Sequence, residues 1–378
     1  MRYAALALAF VLTAAPASAQ LGGLKGAIRK GNDAKEKADK IRDIVISDAD
    51  ERKIGELVSG RVRQEFGVNQ DKAVTKYVTL VGTVLARASS RPDLKWEFIV
   101  LDTDGVNAFA SPGGLVHITR GALGMIKSEA ELAGVLGHEI AHIAGQHTVN
   151  AIRKNKSFEL LADVTPGSNA FFEGMANLAY DNIVEKGFDR GDEEDADEKG
   201  IRLANQVGYD PSGLVTFLTK LTKRNAGQTD ERNGLFASHP ETNGRIEDLT
   251  EQIGKEKLGS KATVQARYAS HITWNAVPLA DVEAVVAGTR GVAGGGAKEG
   301  EKKDEKAEDE KKPRRGFGIP SLGLTKSKQA ESTQASASAG NRAVGRDRAA
   351  KGGSNPSKLA LPALTPAELE AFKKGIAG

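Results

Sequence analysis

Five consecutive residues, His138, Glu139, Ile140, Ala141 and His142, carry the strongest chemical signal in this chain. On a helix, at about 100° per residue, positions four apart sit nearly above one another, so two imidazoles can reach one ion. Glu139 then lies beside them, placed to act as general base towards a water on that ion. Catalytic zinc usually takes three protein ligands and leaves the fourth position for water, so a third ligand is needed. The acidic run 192–198 is the candidate source. Within it Glu193 and Asp197 share a stripe with Gly200, Ile201 and Ala204, spaced i, i+4, i+7, i+8 and i+11, which is the face a helix buries. Glu193 is therefore expected to ligate the metal. Asp197, one turn on, is expected to accept the second ring N–H of a liganding histidine and fix its tautomer. Glu194 is the second choice, because its i+4 neighbour is Glu198 and its stripe is polar. The other acids read as a solvated face.

The elements that must position these groups are legible in outline. Ser128 with Glu131 forms a capping box for the H-E-x-x-H helix, Leu132, Val135 and Leu136 supply its buried stripe, and Gly134 and Gly137 let another element approach. Upstream, residues 24–88 follow a helical pattern, with Ile54, Leu57, Val58 and Val62, then Val74, Tyr77, Val78, Val81 and Leu85 at spacings of three and four. Residues 96–101 read as a strand. A second extended piece, 106–110, is joined through Ser111, Pro112, Gly113 and Gly114 to 115–119, a hairpin signal. Helices dominate from 128 to about 253, with interruptions near Pro166, at 187–191, at Asp210 and Pro211, and around Ser238, His239 and Pro240. The fold class is α+β, mainly helical, with a small β-hairpin or sheet beside the H-E-x-x-H helix.

Composition and organisation narrow the setting. The 378 residues suffice for a substantial core. A net charge of +3, from 53 basic and 50 acidic residues, proposes neither a nucleic-acid nor an anionic-membrane partner. Residues 1–19 combine a basic start, an apolar stretch and Ala17, Ser18 and Ala19, the pattern of a cleaved signal peptide, which in a bacterium means the periplasm. No segment reaches the roughly 18 apolar residues of a membrane span, leaving only peripheral membrane contact open. The chain has no Cys, so core packing must supply its stability, with a bound metal as a further source open to it. The expected domain layout is a metallopeptidase domain over 24–255 and an extension over 256–290 that packs on or near it. Residues 291–358 follow as a charged, low-complexity disordered linker, and 359–378 as a short amphipathic helix. Thr365 is the expected N-cap of that helix, Pro366 its first residue, and Leu369, Phe372 and Ile376 its apolar face. It docks in the groove, binds a partner, or has no role.

Taken together, residues 102–114 (with Val106, Asn107, Ala108, Phe109 and Ala110, then Pro112, Gly113 and Gly114), residues 129–147, the Glu193-x-x-x-Asp197 element, and Ser238, His239 and Pro240 with Arg245 resemble the M48 family of zincin-type metallopeptidases over roughly 46–253. That family includes periplasmic and mitochondrial quality-control proteases. The resemblance implies His138, His142 and Glu193 as ligands of one zinc ion per chain and Glu139 as catalytic acid and base, matching the assignment from spacing. The expected reaction is hydrolysis of peptide bonds in unfolded or misassembled envelope proteins, with zinc-bound water as nucleophile. His239 and Arg245 are candidate donors to the developing oxyanion. His239 has two further readings, an ordinary core or surface histidine and a fourth ligand that keeps the enzyme latent. Asn107, Ala108, Phe109 and Ala110 are expected to offer an edge to which substrate adds as a strand. His147, five residues past His142, points about 140° around the helix from that ligand and is read as structural, with a supporting role behind the metal ligands as the alternative. The alternative function is an envelope-protein assembly chaperone or scaffold using the same groove. The sequence leaves oligomeric state open.

Overall fold

Helix α1, Asp48–Phe66, starts at Ser47, whose hydroxyl accepts from the Asp50 amide while Asp50 reaches back to the Ser47 amide, a reciprocal cap. Its stripe Ile54, Val58, Val62 and Phe66 is buried. Helix α2, Lys72–Ala88, is capped by Asp71 and buries Val74, Tyr77, Val78, Val81 and Leu85. These contacts come from a computed structural model, which describes residues 45–155, 157, 158, 161, 164–225, 239, 242–278 and 359–376. The expected signal peptide (1–19), the N-terminal part of the first helical stretch (24–44), the low-complexity segment (291–358), and Ser238 and Pro240 lie outside the described residues.

Three strands follow: β1 (Glu97–Leu101), β2 (Ala108–Ser111) and β3 (Leu115–Thr119). The β2–β3 pair is the antiparallel hairpin the sequence signals, turning at Gly113 and Gly114, both at positive φ. The order is β1-β3-β2, with β1 parallel to β3. Apart from the half-buried Glu97, all three strands are buried on both faces, and the two-residue period divides their side chains between two cores. Phe98, Val100, Ala108, Ala110, Val116 and Ile118 join the core built on α2, whereas Ile99, Leu101, Phe109 and Leu115 join the core built on α1.

A short helix α3 (Arg120–Met125) leads into α4, Glu129–Ala144, the helix carrying H-E-x-x-H, which is buried from Glu129 to Ile143. Helix α5 (His147–Lys154) follows at once. Helix α6 (Asn169–Tyr180) runs into a π-helical turn, Asp181–Lys186, and then come α7 (Arg190–Val207), α8 (Gly213–Asn225) and α9 (Thr242–Lys255). The breaks before Asn169, at 187–189 and at 208–212 fall where the sequence interrupts its helical pattern.

Helix α4 packs most closely on α7. A Cβ built on Gly200 of α7 would lie 2.8 Å from the His138 backbone nitrogen, and one on Gly137 would lie 2.9 Å from the Gly200 carbonyl oxygen, so the two helices touch backbone to backbone.

The rest of the chain returns over this unit. Helix α10 (Gln265–His271) places the Tyr268 hydroxyl on the Leu123 carbonyl (2.5 Å), and the Trp274 indole donates to the Arg120 carbonyl (3.0 Å). Helix α11 (Pro366–Lys374) has the expected Thr365 cap with Glu368 and Pro at its start. It docks on α2 and α10, with Leu369 and Ile376 buried and the Phe372 ring 4.2 Å beneath the Arg267 guanidinium. Arg267 in turn binds Glu129, which is fully buried and also accepts from the hydroxyls of Tyr77 and Tyr209, each at 2.9 Å. Glu129 lies nine residues before His138, about 13 Å away at 1.5 Å per residue, so α11 seats at the end of α4 opposite the histidines and not in their groove. No helix among the described residues is long and apolar enough to cross a membrane.

Candidate metal centre

His138 and His142 stand one turn apart on α4 with their Nε2 atoms 3.0 Å apart. Helix α7 brings Glu193 from its first turn, Oε1 3.4 Å from His142 Nε2 and Oε2 3.5 Å from His138 Nε2. His239 contributes a fourth atom: its Nδ1 lies 3.1 Å from His138 Nε2 and 2.8 Å from Glu193 Oε1. These four groups are buried, and their donor atoms all lie within 4.8 Å of one another. Metal–nitrogen bonds of 2.0–2.1 Å in tetrahedral array separate ligand atoms by about 3.3 Å, so this spacing fits a first-row divalent ion. Donor chemistry agrees. Burial pushes the His142 imidazole well below its usual range, which leaves a neutral ring with a free lone pair. Burial alone would raise the Glu193 carboxyl, but His239 and Arg245 outweigh it and hold the group well below the usual carboxylate range.

Glu139 is turned differently. It is 1% exposed, and neither of its oxygens has a hydrogen-bond partner; His239 Nε2 lies 3.6 Å from Oε1. Burial raises its carboxyl above the ordinary range, with His239 and His138 offsetting part of that rise. A buried, unpaired, more basic carboxylate beside a cluster of metal donors is equipped to take a proton.

Behind the donors, Asp197 Oδ1 sits 2.9 Å from His138 Nδ1, the partner atom that the stripe of α7 predicts. Glu194, the second choice as ligand, is on the exposed face, bonded to Arg190. Arg245 lies on α9, beside the carboxylates of Glu193 and Asp197. Its Nε and Nη2 each lie 2.7 Å from Asp197, and its Nη1 lies 2.8 Å from Glu193 and 3.4 Å from the His239 carbonyl. All three nitrogens are engaged, with the donor Glu193 and with Asp197 behind the donors.

The expected substrate edge, 107–110, is covered in this structure. β2 is an edge strand in topology, but Ala108, Phe109 and Ala110 are 0–1% exposed, because α4 and the π-helical turn pack against it. Asn107 is held inside the hairpin, its amide donating to Thr119 Oγ1 and its side-chain oxygen accepting from the Ala108 amide.

Two further residues stand beside His142. His147 does not lie on a continuation of α4. Gly145 caps that helix, Gln146 takes a left-handed conformation (φ 56°, ψ 31°), and α5 restarts at His147, whose Nδ1 returns to 2.9 Å from His142 Nδ1. The glycine after the last periodic residue was the available signal. Phe188, in the loop before α7, stacks on the His142 ring at 3.9 Å, and its lone position gave no sequence signal.

A small sheet beside an H-E-x-x-H helix, with a glutamate from a second helix turned onto the two histidines, defines a mainly helical α+β, zincin-like metallopeptidase domain. Residues 72–253 match the sequence profile of peptidase family M48. It is 26% identical over 227 residues to the beta-barrel assembly-enhancing protease of Yersinia pestis, covering 57% of this chain and 46% of that protein. It is 28% identical over 184 residues to the mitochondrial metalloendopeptidase OMA1 of Schizosaccharomyces pombe, covering 49% and 54%. The metalloprotease YcaL of Escherichia coli is 26% identical over 159 residues, covering 41% and 61%. The chain thus spans about half the length of the relatives it matches. The match to that family implies a divalent metal, and the donor set described above fits one.

Proposed function

We propose that this chain is a zinc-dependent endopeptidase that hydrolyses unfolded or misassembled envelope proteins, with one zinc ion per chain held by His138, His142 and Glu193. The reading is carried by Glu139, a buried carboxylate with both oxygens free of hydrogen bonds at the side of the donor cluster. The cluster would hold a divalent ion, whose Lewis acidity would lower the pKa of water from about 15.7 towards 7 and polarise the scissile carbonyl. Glu139 takes the water proton on a carboxylate oxygen and returns it to the nitrogen of the leaving amine. Asp197 holds the Nδ1 proton of His138, so that Nε2 presents its lone pair. Arg245 keeps Glu193 and Asp197 ionised and fixed. His239 fills the fourth corner of the cluster, which supports a latent resting state. Once turned aside, it is free to donate to the developing oxyanion.

An extended substrate adding to β2 would bind through main-chain hydrogen bonds and so tolerate many sequences. The cover over Ala108, Phe109 and Ala110 must open first. The relatives named as beta-barrel assembly-enhancing proteases support envelope proteins as substrates, and residues 1–19 support export to the periplasm by a cleaved signal peptide. The closed position of His239 favours one other reading, an assembly chaperone or scaffold with little turnover.

The test compares zinc-loaded wild type, Glu139→Gln and His239→Ala for cleavage of an unfolded protein such as casein, with zinc content measured in each. The proposal expects cleavage by wild type, a loss of about 10²–10⁴-fold in a Glu139→Gln protein that keeps its zinc, and faster cleavage by His239→Ala. Binding of substrate by all three without cleavage would replace the peptidase by the chaperone.

A further inference from the structure

We infer that His147, held by Asp195, is a positioning residue that presents His142 to the metal through Nε2. The inference rests on the reading of His142 as a metal ligand and extends it to residues outside the donor cluster. His147 Nε2 lies 2.9 Å from Asp195 Oδ2, and His147 Nδ1 lies 2.9 Å from His142 Nδ1. Proton positions follow from what each atom can do. An ionised carboxylate only accepts, so the proton between Asp195 and His147 is on His147 Nε2. In the neutral ring Nδ1 then carries a lone pair and accepts from His142 Nδ1–H. That leaves the His142 Nε2 lone pair free, and it is this nitrogen that faces His138 and Glu193.

Local backbone makes the arrangement specific. The left-handed turn at Gln146 ends α4 and reverses His147 towards it, and a side chain at Gly145 would put its Cβ 2.5 Å from His147 Nε2. Gln146 itself is tied by its side chain to Glu51, and Arg91 donates to the Ile143 carbonyl (3.1 Å) at the helix end. Phe188, stacked on His142, limits the ring's tilt but contacts either face-preserving flip equally; the bond to His147 selects between the flips. Lys199, 2.7 Å from Asp195 Oδ2 on the next turn of α7, anchors the outer end of the chain.

The two liganding histidines are therefore oriented unequally. His138 meets a carboxylate directly through Asp197, whereas a neutral imidazole stands between His142 and Asp195. The second carboxylate is kept one ring further from the ion, so the site gains an oriented ligand without another adjacent negative charge.

The test measures zinc affinity by competition with a chromophoric chelator, and the visible spectrum of the cobalt-loaded protein, for wild type, His147→Leu, His147→Gln, Asp195→Asn and His142→Ala. Leucine removes the acceptor, whereas the glutamine carbonyl restores one. The inference expects His147→Leu to bind zinc about 10–100-fold more weakly with a shifted cobalt spectrum. It expects His147→Gln to recover most of that loss and Asp195→Asn to show a smaller loss in the same direction. Wild-type affinity in His147→Leu, or equal losses in the leucine and glutamine variants, would overturn it. Should His147→Leu fail to fold, a wild-type affinity and spectrum in Asp195→Asn, whose side chain is 38% exposed, would overturn it as well. Undiminished affinity in His142→Ala is a separate result, and refutes the ligand reading on which the inference rests.

Discussion

Replacing Gly200 with alanine adds one methyl group at the contact between the two helices that carry the donor cluster. The new Cβ would lie 2.8 Å from the His138 nitrogen and 3.1 Å from both the His138 Cα and the Gly137 carbonyl carbon. All three are backbone atoms, so no side chain can swing aside. Reaching 3.4 Å, the start of ordinary contact, requires α4 and α7 to separate by about 0.6 Å. Overpacking of this kind costs about 1–3 kcal/mol. Alanine's better helix propensity returns about 1 kcal/mol, so a net loss of about 0–2 kcal/mol leaves the protein folded. The site is less tolerant, because productive geometry needs its groups within about 0.5 Å and a 1 Å misplacement costs about 10²-fold. We expect kcat/KM for an unfolded substrate to fall about 10–100-fold, equivalent to about 1.4–2.7 kcal/mol, with Tm lowered by only a few degrees. The assay pairs steady-state cleavage with thermal melts and zinc titration. Gly254→Ala serves as control, since a Cβ there meets nothing within 4 Å. Wild-type kcat/KM in Gly200→Ala would refute the claim that this crossing sets the distance from Glu193 to the two histidines.

Three further outcomes follow from the same contacts. Leu369→Ala should destabilise the domain by about 2–5 kcal/mol in urea while leaving zinc affinity unchanged, because Leu369 is 3% exposed yet lies on the helix docked far from the donors. Arg245→Ala should cost about 3–5 kcal/mol by leaving Glu193 and Asp197 buried without their shared cation, and should also weaken zinc binding; equilibrium unfolding with and without zinc measures both. Zinc at a thousand times its Kd should stabilise the chelator-stripped protein by about 4.1 kcal/mol, read as a rise in Tm that a chelator reverses.

Local signals carried much of this structure. Ser128 caps α4, Thr365 caps α11, and the stripe of Glu193, Asp197, Gly200, Ile201 and Ala204 is the buried face of α7. Each depends on residues within a few positions of one another, where helical period and capping chemistry decide the outcome. What escaped depends on chain reversals and distant partners. His147 was projected along a helix that ends at Gly145. Arg245 is 48 residues from Asp197, and only the packing of α9 on α7 shows that its nitrogens are already engaged. The parallel pairing of β1 with β3 and the burial of β2 likewise depend on topology, since a strand reads alike whether its edge is open or covered. For α11 the apolar face was plain, but its seat on Tyr77 and Arg267 is made by residues nearly 300 and about 100 positions earlier.

The seating of α11 separates covalent order from spatial order. Residues 359–376 complete a surface made by α2 and α10, yet join it in sequence only through residues 279–358. In a molecule nicked anywhere in that interval, the terminal piece is retained only by non-covalent contacts, among them those of Leu361, Leu364, Leu369, Phe372 and Ile376, the Arg267–Phe372 contacts and the Lys76–Glu368 pair. Its departure then becomes a bimolecular equilibrium that dilution drives forward, and a synthetic peptide of the same residues would compete for the vacated seat.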